Sequence, residues 1–417
     1  MEIKRERYLN KLIDRMHNGM IKVVTGIRRS GKSYLVFKIF HDYLISQGIE
    51  NSHIIKIELD MLENEQFRDP YVILKYIKEK IVDDELYYIL LDEIQLLDRF
   101  EEVLNSLLHI SNVDVYVTGS NSKFLSKDII TEFRGRGDEV HVYPLSFSEF
   151  MQAYEGNMYE GLSSYMVYGG LPLTATMNDD EQKSRYLTQL FETTYIKDIV
   201  ERYHIEKVEE LNQLINTLAS AIGSLTNPSK IEATFKSNIQ SEISGNTIRQ
   251  YIEYLKDAYV IREANRYDVK GRKYIGTPLK YYFEDLGLRN ARLGFRQNEE
   301  THLMENLIYN ELLYRGYSVD VGAVEKREKL IDGKTKRMHL EIDFVANMGS
   351  RRYYIQSAFS IPDDIKRRQE KASLMNIKDS FKKIIIVKDI IKPWHDEDGI
   401  ITMSIYDFLL NENSMEF

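Results

Sequence analysis

The chain has no cysteine in 417 residues. Disulfides, thiolate metal sites and cysteine nucleophiles are all excluded, and the composition suits a reducing compartment. Histidine is scarce: nine are scattered along the sequence, none in an HExxH or similar spacing, so no zinc centre is expected. With only 7 prolines and 22 glycines, and no low-complexity tract or evident repeat, no long disordered linker is expected either. No apolar run approaches the roughly 20 residues of a membrane-spanning helix, and the start, MEIKRERYLN, lacks the apolar centre of a signal peptide. These absences predict a cytoplasmic protein with no membrane association.

What is present is a soluble, globular composition, 43% hydrophobic and 29% charged, in a chain longer than one core usually serves. Two or three domains are expected. The net charge of -9 argues against a protein that coats nucleic acid uniformly, but leaves room for local basic patches.

The stretch IKVVTGIRRSGKSYLVFKIF, residues 21–40, puts a short apolar strand ahead of a glycine-punctuated loop and then resumes helical periodicity. Gly26, Gly31, Lys32 and Ser33 fit the phosphate-binding pattern G-x-x-x-x-G-K-[ST]. Glycines let backbone N–H groups turn in around an anion, and the helix start adds partial positive charge. The loop residues Gly26, Ile27, Arg28, Arg29, Ser30, Gly31, Lys32 and Ser33, with Tyr34 after them, are the expected ATP cradle. Lys32 is expected on the β- and γ-phosphates and the Ser33 hydroxyl on Mg²⁺.

A second motif, LYYILLDEIQLL, places Asp92 and Glu93 at the end of an apolar run that reads as a strand buried on both faces. Asp92 is the expected Mg²⁺ ligand and Glu93 the general base for water. A third strand, VDVYVTGSN, ends in Thr118, Ser120 and Asn121, beside the Asp92 strand if the usual order holds.

Together, GIRRSGKS, LLDEIQ, VTGSN and FRGRGDEVHVYPLSFSEF resemble an AAA-type P-loop ATPase family of bacteria and archaea whose members carry a C-terminal, nuclease-like domain of unknown function. The likeness extends over nearly the whole chain and includes MVYGGLPL in the helical lid. It implies that Asn121, or Ser120, acts as first sensor. It also implies that Arg136, with Arg134 as competitor, is an arginine finger that would act on a neighbouring subunit, so that ATP drives homo-oligomerisation.

Further on, SEISGNTIRQYIEYLKDAYVIREA reads as a helix-turn-helix with Ile248, Tyr251, Ile252 and Leu255 on one face. A hairpin follows whose tip holds Lys270, Gly271, Arg272 and Lys273, as in a winged helix. Residues 246–296 carry eleven Lys and Arg against six Asp and Glu, a local balance of +5. Arg249, Lys256 and the tip could engage duplex DNA; a protein partner is the alternative.

The C-terminal part resembles the PD-(D/E)XK nuclease core. That resemblance implies a metal site at Glu305, Asp343 and a D/E-x-K, but the third position holds Gln356, Ser357 and Ala358. A degenerate site that has lost or weakened cleavage is expected, with Lys366 or Lys371 able to migrate into the lysine role. The expected architecture is α/β: a P-loop ATPase core over 1–145, a helical lid over 146–205, a winged helix over 206–295 and a nuclease-like domain over 296–417. The alternative to an ATPase acting on DNA is a nucleotide-gated switch for a protein partner, with little turnover.

Overall fold

β-Branched and aromatic residues at period two, and apolar runs closed by Gly or Asp, build two separate sheets. The computed structural model describes residues 3–119, 135–239, 243–329 and 335–417. The chain forms two compact units: Met1–Leu145 with Leu171–Leu173 and Asp257–Tyr259, and the remainder, which runs to Phe417.

The first unit is built on β1 (Ile21–Thr25), β2 (Ile54–Glu58), β3 (Tyr87–Asp92), β4 (Val113–Thr118) and β5 (Gly137–His141). All neighbours pair in parallel, in the order β2-β3-β4-β1-β5. Such a sheet needs cover on both faces. On one face Ile89, Leu91, Val115 and Val117 pack with Ile73, Ile77, Val103 and Leu104 from the helices Pro70–Lys80 and Phe100–Leu107. On the other, Phe40 lies 4.5 Å from Tyr116 and 6.5 Å from Tyr88, ring centre to ring centre. Lys22 is fully buried on β1, an unexpected position for a lysine. Its ammonium pairs with Asp114 on β4 and also donates to Met20 O, and Asp114 accepts from Tyr116 as well.

The second unit begins with helices and continues into an eight-stranded sheet. Its strands are β6 (Ile261–Asp268), β7 (Lys273–Phe283), β8 (Ser318–Lys329), β9 (Thr335–Met348), β10 (Arg351–Ala358), β11 (Lys382–Val387), β12 (Trp394–His395) and β13 (Ile401–Ser404), in the order β12-β13-β11-β10-β9-β8-β6-β7. The division expected between residues 295 and 296 therefore does not hold. The hairpin β6–β7 follows the helix Gly245–Asp257, as the wing was expected to, but β6 pairs in parallel with β8, and Val269 lies in one core with Val324, Ile342 and Tyr354. A hairpin with an apolar face is better covered by joining a neighbouring sheet than by standing alone.

The glycines of MVYGGLPL have a packing reason. At Gly169, φ is +74°, and a Cβ would meet the Asp285 carboxylate at 2.3 Å. Asp285 accepts from Gly170 N (2.8 Å) and Leu288 N (2.9 Å), capping the helix Leu286–Arg292. Burial pushes its carboxyl up to about 6, although these N–H donors hold it down. A carboxyl raised on folding adds stability that is full below its unfolded value of 3.8 and is lost as pH climbs through about 6. Urea unfolding across a pH series should thus show the wild type losing about 3 kcal/mol relative to Asp285→Asn between about pH 4 and pH 7. A difference that stays constant with pH would show that this carboxyl titrates normally.

Candidate functional site

Parallel strands deliver their ends to one edge of a sheet, and there the loop after β1 meets the acidic end of β3. Register places Thr118 of β4 beside Val24 of β1, while Asp92 lies level with Glu58 of β2. The loop is held in shape by backbone demands. Gly26 has φ of +138°, and a Cβ there would lie 2.2 Å from Val142 O, so the strand exit itself requires glycine. Gly31 has φ of +93° and starts the helical run Lys32–Tyr34, Leu35–Phe40 and His41–Ser46, whose middle segment has wider π-type turns. The first N–H groups of such a run have no partners within it.

Lys32 is buried, its ammonium donating to Gly26 O and Ile27 O at 3.0 Å each. Ser33 Oγ donates to Asp92 Oδ1 at 3.0 Å. Thr118 Oγ1 also bonds Asp92 and accepts from Glu93 N at 3.2 Å. Burial raises the Asp92 carboxyl, against the lowering effect of the Thr118 and Ser33 hydroxyls. Glu93 sits in the left-handed region, φ +48°, and its carboxylate accepts from the Gln95 amide.

The donor set suits a magnesium–triphosphate. A hydroxyl and a carboxylate already face each other, as hard-cation ligands must. Ser30 is fully buried, and among the described residues its Oγ has no hydrogen-bond partner, although it lies inside the loop. Of the other loop residues, Ile27 is buried, Arg28 half-buried, and Arg29 and Tyr34 exposed, Arg29 with φ of +65°.

Two residues carry roles that the motifs did not reveal. Thr118, expected only as part of a strand end, ties Asp92 to Glu93. Arg5 is buried ahead of the helix Glu6–Ile13 and donates to Ser30 O (3.0 Å) and Tyr143 O (2.8 Å), bracing the loop from behind. No local pattern marks Arg5 among the basic residues of KRERY; its guanidinium carbon lies 4.5 Å from the centre of the Tyr8 ring, a contact that only the fold creates. Asn121, Ser120 and Arg134 lie outside the described residues. Arg136 is exposed, and its carbonyl accepts from Ile21 N at 2.9 Å. It precedes β5 at the start of β1, a strand's length from the loop at the end of β1, so it cannot serve the phosphate site of its own chain.

In the second unit, Glu305 from the helix Glu300–Tyr314 and Asp343 from β9 do come together, but around a lysine. Lys280 on β7 is 2% exposed; its ammonium lies 2.9 Å from Glu305 Oε1, 2.7 Å from Glu341 Oε1 and 4.0 Å from Asp343 Oδ1. Tyr282 OH donates to Glu305 at 2.6 Å, and Ser357 N to Asp343 at 2.8 Å. The three carboxylates hold the Lys280 ammonium above its ordinary value despite burial, and burial raises the Asp343 carboxyl. Gln356 turns to Ser373 Oγ, 3.3 Å away. These residues do not fit a divalent cation: a fixed positive charge already sits among the acids. Among the described residues, no group of three or more His, Asp or Glu is placed to hold a metal ion. Lys366 and Lys371 pair elsewhere, with Glu370 and with Asp396 and Asp398. The helix face expected to meet DNA is altered too, because Lys256 is engaged by Glu253 (2.8 Å) and Glu263 (3.2 Å).

A family model described as an AAA domain matches residues 18–151, and a second, described as a domain of unknown function, matches residues 159–299. An uncharacterized protein of Haemophilus influenzae is 35% identical over 414 residues, covering 98% of this chain and 98% of its own length. One from Methanocaldococcus jannaschii is 29% identical over 393 residues, covering 90% of this chain and 83% of its own length. Among solved structures, a Walker-type ATPase of Pyrococcus abyssi has a TM-score of 0.50 at 15% identity, covering 70% of this chain and 96% of that one, a likeness of fold. The chain belongs to one family with the Haemophilus influenzae protein, and its first unit is a P-loop domain of the AAA type.

Proposed function

We propose that the protein is a cytoplasmic, magnesium-dependent ATPase that couples ATP binding and hydrolysis to contact with DNA. The observation that carries the nucleotide part is the Ser33–Asp92 hydrogen bond of 3.0 Å beside a buried Lys32. It joins the phosphate-binding loop to the acidic strand end across the intervening strand β4. Lys32 and the amides at the helix start would bind the β- and γ-phosphates. Ser33 and Asp92 would hold Mg²⁺, which supplies charge neutralisation on the phosphate oxygens. Glu93 would take the proton of the attacking water, its backbone fixed by the Thr118 hydroxyl. Arg136, remote from its own loop, would act on a neighbouring copy, and Asn121 would sense the γ-phosphate. Among the described residues no helix is long and apolar enough to cross a membrane.

The order helix Glu300–Tyr314, antiparallel β8–β9–β10, helix Asp364–Met375 and β11 parallel to β10 supports a nuclease-like ancestry for the second unit. Its acidic cluster supports the loss of cleavage, because Lys280 fills the place between the carboxylates.

Lys32→Ala should weaken binding of a fluorescent ATP analogue at least about tenfold, while Glu93→Gln should keep binding and slow phosphate release by about 100-fold or more. Hydrolysis at the wild-type rate in Lys32→Ala would sink the assignment. For the second unit, plasmid nicking should stay at background in Mg²⁺ or Mn²⁺. Lys280→Met should lose about 3 kcal/mol of unfolding free energy, since it strands buried carboxylates. Metal-dependent nicking that Asp343→Asn abolishes would overturn this reading.

A further inference from the structure

A cavity of about 800 Å³ opens in the second unit between the turn joining β6 to β7 and the turn joining β9 to β10. Its lining holds Lys270, Arg272, Arg351, Arg352 and Lys378 against a single carboxylate, Asp379. That carboxylate is occupied: it accepts from Tyr354 OH at 2.6 Å and from Phe381 N at 3.3 Å. The cations are mostly uncompensated. Lys270 donates to a neutral carbonyl, Glu325 O, at 2.7 Å, and Arg352 donates to the Asn347 amide oxygen at 2.7 Å. Arg272 and Lys378 are exposed, and among the described residues no carboxylate pairs with either. Only Arg351 has one, Glu416 at 3.1 Å.

Arg352 is also fixed in place. Its guanidinium carbon lies 5.5 Å from the centroids of both Tyr267 and Phe381, so two aromatic rings and an amide hold one charge at the wall. In a chain of net charge -9, so concentrated a positive surface must be sustained against the general field. Cations spread along two separate turns match a series of phosphates better than one small anion.

We propose that this cavity binds the phosphodiester backbone of a nucleic-acid strand and is the chain's principal nucleic-acid contact, in place of the outer face of the helix Gly245–Asp257. The inference rests on the DNA part of the proposed function and gives it an address.

The test is fluorescence anisotropy of the full-length protein with a labelled duplex and the matching labelled single strand, over a range of KCl concentrations. Three proteins are compared: wild type, Arg272→Ala combined with Lys378→Ala, and Arg249→Ala on the helix face. Both cavity substitutions are at exposed positions, and binding of a fluorescent ATP analogue checks folding. The double variant should bind at least about tenfold more weakly at low salt, with the slope of log affinity against log salt reduced by about 2. Arg249→Ala should stay within about twofold of wild type. The preferred probe tells whether a paired or an unpaired strand is the ligand. If the wild type binds DNA and the double variant binds equally well, the cavity is ruled out while the DNA reading survives. If the wild type binds neither probe at the lowest salt, both fall. Equal displacement by poly-L-glutamate would assign the surface to acidic protein and overturn the proposal.

Discussion

The hydrogen bonds that converge on Asp92 are the constraint around which the first unit is arranged. Ser33 comes from the loop, Thr118 from β4 and the carboxylate from β3, so three consecutive neighbours in the sheet are locked at one height. A shift of one residue in any of these parallel pairings would turn the polar side chain to the opposite face and break the convergence. The aromatic and aliphatic layers on either side of the sheet thus do more than fill space: they set the register that brings a hydroxyl, a carboxylate and an ammonium within reach of one phosphate chain.

Local motifs were legible because their chemistry demands adjacency. Gly26, Gly31, Lys32 and Ser33 must be close in sequence to wrap one anion, and Asp92 and Glu93 must follow an apolar strand to reach the same edge. What could not be read was made by distant segments. Lys280 lies 25 residues before Glu305, in a strand whose other positions gave no metal-site pattern. A usable signal did exist: Lys280 and Tyr282 are two apart on one strand, hence on one face, and Tyr282 is fully buried. A lysine sharing a face with a buried tyrosine calls for an acidic partner. Arg5 and Lys22 were missed for a similar reason, since their partners are carbonyls and a carboxylate brought in only by the fold.

The expected wing shows a different limit. Its helical periodicity, its turn residues and the two-strand alternation were all visible, and those elements form. Periodicity does not say what a hairpin's second edge will meet, however, and here β6 meets β8. The same pairing reassigns the basic residues at the hairpin tip. They belong to a surface shared with the β9–β10 turn, not to an isolated module, whereas Lys256 on the helix is neutralised by its own neighbours.

Arg5 joins Ser30 of the loop to Tyr143 beyond β5, and the Tyr143 N–H in turn reaches the Tyr8 hydroxyl at 3.0 Å. Arg5 and Tyr8 therefore act as a strut. A substitution that disturbs either one pulls directly on the backbone that must close around the phosphates, although that backbone lies far from them in sequence.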